Sequence, residues 1–295
     1  MAMAMVKPVR KAVLPVAGVG TRFLPVTKAV PKELLPIVDV PAIQINVEEC
    51  VASGLRDLIL VTSRGKDALL DYFDRAGELE DLLERKGKHA ELAMVRRLND
   101  LAQISAVRQP EARGLGHAVL CARAAVGDEP FAVLLGDDLF EGTPPGIKQL
   151  LEVYAKYGKG VVGLWEVPAG QEHLYGIVDG ESMGGDVFRL TNLVEKPEPG
   201  KAPSRLAVVG RYVLPPEIFP ILANTKPGRG GEIQLTDALA TLCASDGLLG
   251  VKLRGERFDA GDRAGYVLAV LRYALRRSDI GVAVRAGAEK LLRET

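Results

Sequence analysis

AGVGTRFLPVTKAVPKELLP, residues 17–36, follows directly on an apolar run, VKPVRKAVLPV (6–16), whose end reads as the first strand of a sheet. Two glycines, an arginine and two lysines just beyond a strand form the layout of a phosphate site. Glycine lets the backbone approach a ligand closely and clustered N–H groups can line an anion. Arg22, Lys28 and Lys32 can supply compensating positive charge. A GxG alone would carry little weight, since such glycines occur in many strand-to-helix turns. The basic residues and the PKELLP continuation make the stretch more specific.

Downstream of this loop, Pro41 stands where a helix can start, and residues 42–53 before Gly54 predict that helix with a glycine stop. DLILV (57–61) then predicts a short buried strand. Strand, loop, helix, strand is a βαβ unit, which implies a parallel sheet with helices on its faces. Charged residues 78–101 predict two surface helices broken near Gly87, and ISAVRQ (104–109) another strand. A turn at Gly114 and Gly116 leads into a further helix. FAVLLGDD (131–138) is a continuous apolar run ending in two aspartates, and ligands of open α/β sheets bind beyond the carboxyl ends of strands.

The second half changes character. GVVGLWEV, DVFRLTNLVEKP and LAVVGRYVL predict strands with one short helix near 216–222, hence a mixed sheet. Leu235, Ala238, Leu239 and Leu242 follow helical spacing. VKLRGERFDAG returns to strand and ends in Asp259. Residues 263–295 predict helices, with Val267, Val270, Leu271, Ala274 and Leu275 as one apolar stripe that could cover the core or meet another subunit. Without a low-complexity linker or repeat, the expectation is one domain over 1–295, a core at 9–262 and a helical tail at 263–295.

Hydrophobic residues make up 47% of the 295 and charged residues 26%, which suits a globular protein rather than a disordered one. Lys and Arg number 38, as do Asp and Glu, so net charge gives no reason to expect nucleic acid or an anionic membrane as partner. Cys50, Cys121 and Cys243 are odd in number and far apart, so neither a disulfide framework nor a zinc site is indicated, and a reducing cytoplasm is the expected location. No secretory or membrane segment is expected, and the Met-Ala start is assigned no function.

Asp137 and Asp259 end separate strands that a folded sheet could bring together, and a small number of oxygen ligands is what Mg²⁺ accepts. The alternative is that each merely caps a loop. Asp138 faces the opposite side if the strand stays regular, which makes it a supporting residue. Lys196 lies in a loop stiffened by two prolines and could hold a phosphate as a point charge. Gln109 offers a donor and an acceptor, which suits a pyrimidine edge as well as an unpaired backbone. His89, His117 and His173 have no triad partner and no GxSxG elbow exists, so the histidines are expected to be structural and no covalent protein intermediate is expected.

AGVGTRFLPVTKAVPKELLPIVDVPAI, RQPEARGLGHAV, LLGDDLF, LYGIV, VEKPEPG, VVGRYVL, GGEIQLTDAL and RFDAG, taken in order, resemble the sugar-nucleotide pyrophosphorylases over nearly the whole chain. The resemblance implies a Rossmann-like α/β/α nucleotidyltransferase fold with a mixed, mainly parallel sheet, a β-rich sugar-binding second half and C-terminal helices. It is strongest toward the members that turn UTP and glucose 1-phosphate into UDP-glucose and pyrophosphate with Mg²⁺. By that resemblance the backbone of Ala17 and Gly18 and the side chain of Gln109 hold uracil, with Gly114 nearby. Arg22 and Lys32 hold the triphosphate, and Glu33 belongs to the same motif. Asp137 and Asp259 bind the metal and Lys196 the sugar phosphate. Glu195, with the backbone of Gly176 and Gly210, meets the glucose hydroxyls, and Glu232 is a further sugar-site candidate. Val40 stands where a lysine is common and Ala260 where a cysteine is frequent. A homodimer or homotetramer is expected.

Three rival readings bear on the same residues. Thymidylyl transfer, or another sugar 1-phosphate, would use the same chemistry, because uracil and thymine differ by one methyl. A dinucleotide-dependent oxidoreductase predicts a third glycine and an acidic residue about 20 positions on, where this chain continues TRFLPVTK. A non-catalytic nucleotide-sugar sensor would keep the fold without pyrophosphate release.

Overall fold

The computed structural model describes residues 6–294, so the Met-Ala start and Thr295 lie outside the described residues. KAVLP forms β1 (Lys11–Pro15). Ala12 and Leu14 pack into one hydrophobic cluster and Val13 into another, so the strand is buried on both faces, as a central parallel strand requires. Beyond the loop come two short paired strands, β2 (Pro36–Ile37) and β3 (Val40–Pro41), then α1 (Ala42–Ala52) and β4 (Asp57–Thr62). After α2 (Ala68–Asp71), the charged segment forms α3 (Gly77–Arg85) and α4 (His89–Asn99), interrupted at Gly87, which has φ +65°. β5 (Gln103–Arg108), α5 (Leu115–Cys121), α6 (Arg123–Val126) and β6 (Phe131–Leu134) complete the first half.

β7 (Asp138–Glu141), α7 (Gly146–Tyr157), β8 (Gly160–Glu166), β9 (Gly176–Gly184), β10 (Val187–Glu195) and β11 (Leu206–Leu214) follow. Then come α8 (Ile218–Asn224), α9 (Leu235–Ser245), β12 (Leu248–Lys252), β13 (Glu256–Asp259), α10 (Arg263–Arg276) and α11 (Gly281–Glu294). α7, β7 and β9 add to the elements legible in the sequence, and the VKLRGERFDAG strand divides in two around Arg254 and Gly255.

Nine strands form the main sheet in the order β5-β4-β1-β6-β11-β8-β12-β10-β9. β5, β4, β1 and β6 are parallel, but β11 runs antiparallel to both β6 and β8, and β10 antiparallel to β12 and β9. Only β8 and β12 pair in parallel on that side. The sheet is therefore mixed and mainly parallel in strand direction: β10 and β11 run against the other seven strands, and α7 carries the chain between the co-directional β6 and β8. Helices α1 and α7 cover one face through Ile43, Val47, Ile147 and Leu150; α5, α8 and α9 cover the other through Val119, Phe219, Leu222, Leu239 and Leu242. Each such side chain contributes about 1.5–3 kcal/mol on burial.

Part of the α10 stripe covers the core, with Ala274 buried and Val270 packed inward. Val267 is 60% exposed, whereas Ala269 is fully buried. Ala269, Tyr266, Val270 and Tyr273 pack on Ile37, Leu139 and Ala260. The aromatic rings of Tyr266 and Tyr273, set edge-on to Phe23 and Phe258, turn that face inward.

Candidate active site

The loop after β1 is held from below. Lys66 Nζ donates to the Val16 carbonyl at 2.5 Å and pairs with Glu33 at 2.9 Å, while Ser63 Oγ donates to the Ala17 carbonyl at 3.1 Å. Gly20, at φ +69°, is closely overlaid: a Cβ there would lie 3.2 Å from the Thr27 methyl and 3.3 Å from Lys32 Cβ. Thr27 Oγ1 closes the turn on the Gly20 carbonyl at 2.8 Å. With these carbonyls engaged, the loop turns its remaining backbone toward a cavity of about 460 Å³.

That cavity gathers Ala17, Gly18, Lys32, Glu33, Gln109, Gly114, Asp137 and Glu232 from five separate stretches of chain. Gly114, at φ +95°, opens α5, and a Cβ there would meet the Ile233 carbonyl at 2.8 Å. Glu232, a sugar-site candidate, lines this cavity, where the bond from the Ile233 N–H to the Arg113 carbonyl draws its stretch of loop against Gly114. The Glu33 side chain is 1% exposed and its carboxylate is committed to Lys66, so it anchors the loop from within rather than offering an oxygen to a ligand. Burial pushes the Glu33 carboxyl up, and Lys66 and Lys32 draw it part of the way back.

Asp137 lies in the turn between β6 and β7 rather than on a regular strand. Its carbonyl accepts from Ala260 N at 2.8 Å, which joins this turn to the end of β13. A Cβ on Gly261 would sit 3.0 Å from both Asp137 Oδ2 and Asp259 Oδ1, so the two carboxylates crowd one glycine. Arg22 Nη1 reaches the Gly261 carbonyl at 3.2 Å, bringing the first loop to the same turn. Lys32 Nζ is 2.5 Å from Asp137 Oδ2. Burial opposes charge on both partners, yet their mutual attraction prevails: Lys32 is held above the ordinary lysine range and Asp137 below the ordinary carboxylate range. Asp259 goes the other way, pushed up by burial and only partly restrained by Arg257.

Asp138 opens β7, and since the strand does not continue through Asp137 it is the partners of Asp138, not strand alternation, that set it apart from its neighbour. Its carboxylate binds Arg257 through contacts of 2.8–3.0 Å and accepts from Gly210 N at 3.0 Å. Arg257 in turn lies 3.6 Å from Asp259 and over the Tyr175 ring. Gly210 donates its N–H to Asp138, and its carbonyl accepts from Leu135 N and Arg211. A Cβ there would lie 2.7 Å from Asp138 Cβ, so the position requires glycine for close packing.

Gly176, Glu195 and Lys196 form a second group at the β9–β10 pair, where Glu195 registers with Gly176. Glu195 Oε2 accepts from Thr236 Oγ1 at 2.7 Å, and Lys196 Nζ lies 3.5 Å from Glu195 Oε1. Lys196 takes φ +44°, which a β-bulge-free strand end does not require, and its N–H bonds to the Tyr175 carbonyl. Tyr175 Oη also reaches Asp259 in a long contact of 3.5 Å. Neither this group nor Arg22 and Asp259 lines the Gln109 cavity. A larger cleft of about 680 Å³ between α6 and α8 holds none of the candidate residues.

Lys66, Ser63, Tyr175, Thr236 and Arg257 are additions that sequence reasoning did not single out. Only Arg257 carried a signal: in RFD, strand period puts it on the same face as Asp259. Among the described residues no three His, Cys, Asp or Glu side chains converge to hold a metal. A cation would thus take two carboxylates from the protein, a donor set that fits Mg²⁺ completing its shell with water and phosphate.

A model of the nucleotidyl transferase family matches residues 11–274. The UTP–glucose-1-phosphate uridylyltransferase 2 of Staphylococcus saprophyticus is 50% identical over 270 residues, 92% of this chain and 93% of that one. A UTP-bound UGPase from Acinetobacter baumannii superposes with a TM-score of 0.89 at 42% identity, covering 96% of this chain and 99% of the other. A UDP-glucose pyrophosphorylase complexed with UDP-glucose gives 0.84 at 42% identity, over 91% and 100%.

Proposed function

We propose that this chain, which belongs to the nucleotidyl transferase family, makes UDP-glucose and pyrophosphate from UTP and glucose 1-phosphate. The observation that carries the reading is the single cavity that collects Ala17, Gly18, Lys32, Gln109 and Asp137. Uracil lies between the backbone of Ala17 and Gly18 and the Gln109 side chain. The leaving phosphates face Lys32 and Arg22, and the sugar phosphate is held by Lys196 with the glucose ring near Glu195 and Gly176. Glu232, at the cavity with Gln109 and Gly114, belongs to the nucleotide side.

A phosphate monoester has a second pKa near ~6, so glucose 1-phosphate is mostly a dianion at neutral pH and needs no general base. The obstacle is repulsion between that dianion and a polyanionic nucleotide. Lys196, Arg22 and Lys32 offset it and hold the two reactants for in-line attack on the α-phosphorus, with pyrophosphate leaving. Asp137 and Asp259 would hold Mg²⁺, which when bound neutralises charge on the phosphate oxygens. Lys32, paired with Asp137, stands at the cavity where it would offset charge on the leaving phosphates. The chain is read as one domain working in the cytoplasm as a homo-oligomer.

The test is release of pyrophosphate from UTP plus glucose 1-phosphate by the full chain, with chelator and with added Mg²⁺, against dTTP and other sugar 1-phosphates in parallel. Metal-dependent turnover preferring UTP and glucose 1-phosphate is expected. No pyrophosphate release, or net retention at the α-phosphorus, would overturn the reading.

A further inference from the structure

We infer that His117, on α5, is a positioning residue that locks the Gln109 amide so that its carbonyl oxygen alone is presented to the nucleobase. The inference rests on the proposed contact between Gln109 and uracil. Gln109 Nε2 lies 3.1 Å from the Gly114 carbonyl and 3.1 Å from His117 Nδ1. A carbonyl can only accept, so the amide atom facing Gly114 must be the nitrogen, and this fixes which way the amide points. The same nitrogen then donates to His117 Nδ1, which must be unprotonated. The ring proton falls on Nε2, 3.8 Å from Cys121 Sγ, a weak acceptor.

Both amide hydrogens are therefore used within the protein. No donor among the described residues reaches Oε1, although Gln109 is only 7% exposed and lines the cavity. A base facing that oxygen must bring a hydrogen. Uracil does so with N3–H, whereas N3 of cytosine would set a lone pair against a lone pair. Gly114 by itself engages one amide hydrogen. Without His117 the second is left unsatisfied in a buried place, and the amide gains from turning that hydrogen toward the cavity. His117 thus contributes to base choice without touching the base.

The full chain carrying His117→Phe, His117→Gln or His117→Asn provides the test. Asn can set an acceptor close to the place of Nδ1; Gln sets it farther out, and Phe has none. UTP and CTP affinities are read by calorimetry, and KM for each substrate by turnover. His117→Phe and His117→Gln should weaken UTP about 5- to 30-fold and narrow the UTP-to-CTP preference, with KM for glucose 1-phosphate unchanged and His117→Asn recovering most of the loss. Wild-type affinity for UTP in either of the first two, or no recovery with Asn, would overturn the role of His117. N3-methyl-UTP, which lacks the ring N–H, separates this from the base contact itself: if the wild-type chain binds it as well as UTP, the contact between Gln109 and uracil falls, and the role of His117 with it.

Discussion

Lys32 Nζ lies 2.5 Å from Asp137 Oδ2, so a cation from the first loop sits on the carboxylate that the turn after β6 presents. This pair joins the two halves of the candidate site and holds Lys32 charged within reach of the cavity.

Asp137→Ala should lower turnover by about 10²-fold or more, since a metal ligand and the partner of Lys32 are lost together. Both side chains retain some exposure, 20% and 32%, so the fold should survive with about 1–3 kcal/mol less stability. Steady-state turnover and urea unfolding of the same preparation measure the two effects. Near-normal turnover in a folded variant would remove Asp137 from the metal site.

Lys196→Ala should raise KM for glucose 1-phosphate about tenfold, the loss expected when one charge-assisted contact to phosphate disappears, with UTP binding little changed. A fall in UTP affinity with intact use of the sugar phosphate would contradict the assignment.

Asp138→Ala leaves Arg257, 9% exposed, without its principal partner and releases the Gly210 N–H. A loss of about 3–5 kcal/mol is expected from stranding that buried charge. Asp138→Asn, which can still accept from Gly210, should cost less, and chemical denaturation of both variants ranks them.

Gly210→Ala places a Cβ 2.7 Å from Asp138 Cβ and 2.9 Å from Leu135 Cβ, on a buried stretch of β11 with little room to give. The expected cost is about 1–3 kcal/mol, as for overpacking, and turnover should fall as Asp138 and Arg257 shift. A thermal melt equal to wild type would show that the packing around β11 yields freely.

Lys66→Met removes the cation that draws the Glu33 carboxyl down against the upward push of burial. A carboxyl raised in the folded state keeps its proton after the unfolded chain has lost it, so folding weakens as pH climbs from about 4.3 toward the folded value. The variant should therefore lose stability more steeply than wild type between about pH 4.3 and 8, measured as urea midpoints across that window. Parallel pH profiles would mean that Glu33 finds another partner.

The βαβ beginning, the glycine loop with its basic residues and most of the helices are legible in residue order alone, because local periodicity and turn chemistry leave direct marks there. Residue order also supplied Asp137, Asp259, Gln109 and Lys196 as candidates. Only the tertiary structure decided their partners. Lys66 under Glu33, Arg257 on Asp138, and His117 behind Gln109 are 33, 119 and 8 residues from the groups they hold. No spacing rule connects the two distant pairs. In His117 the sequence offered a helix residue with no triad partner; its link to Gln109 depends on the turn at Gly114, whose φ of +95° folds strand end and helix start onto each other. The engagement of the Gly210 N–H by Asp138 was hidden for the same reason, since whether a backbone N–H is free depends on what packs against it. Residue order sets which elements form, but hydrogen-bond satisfaction in the packed interior sets which groups remain for a substrate.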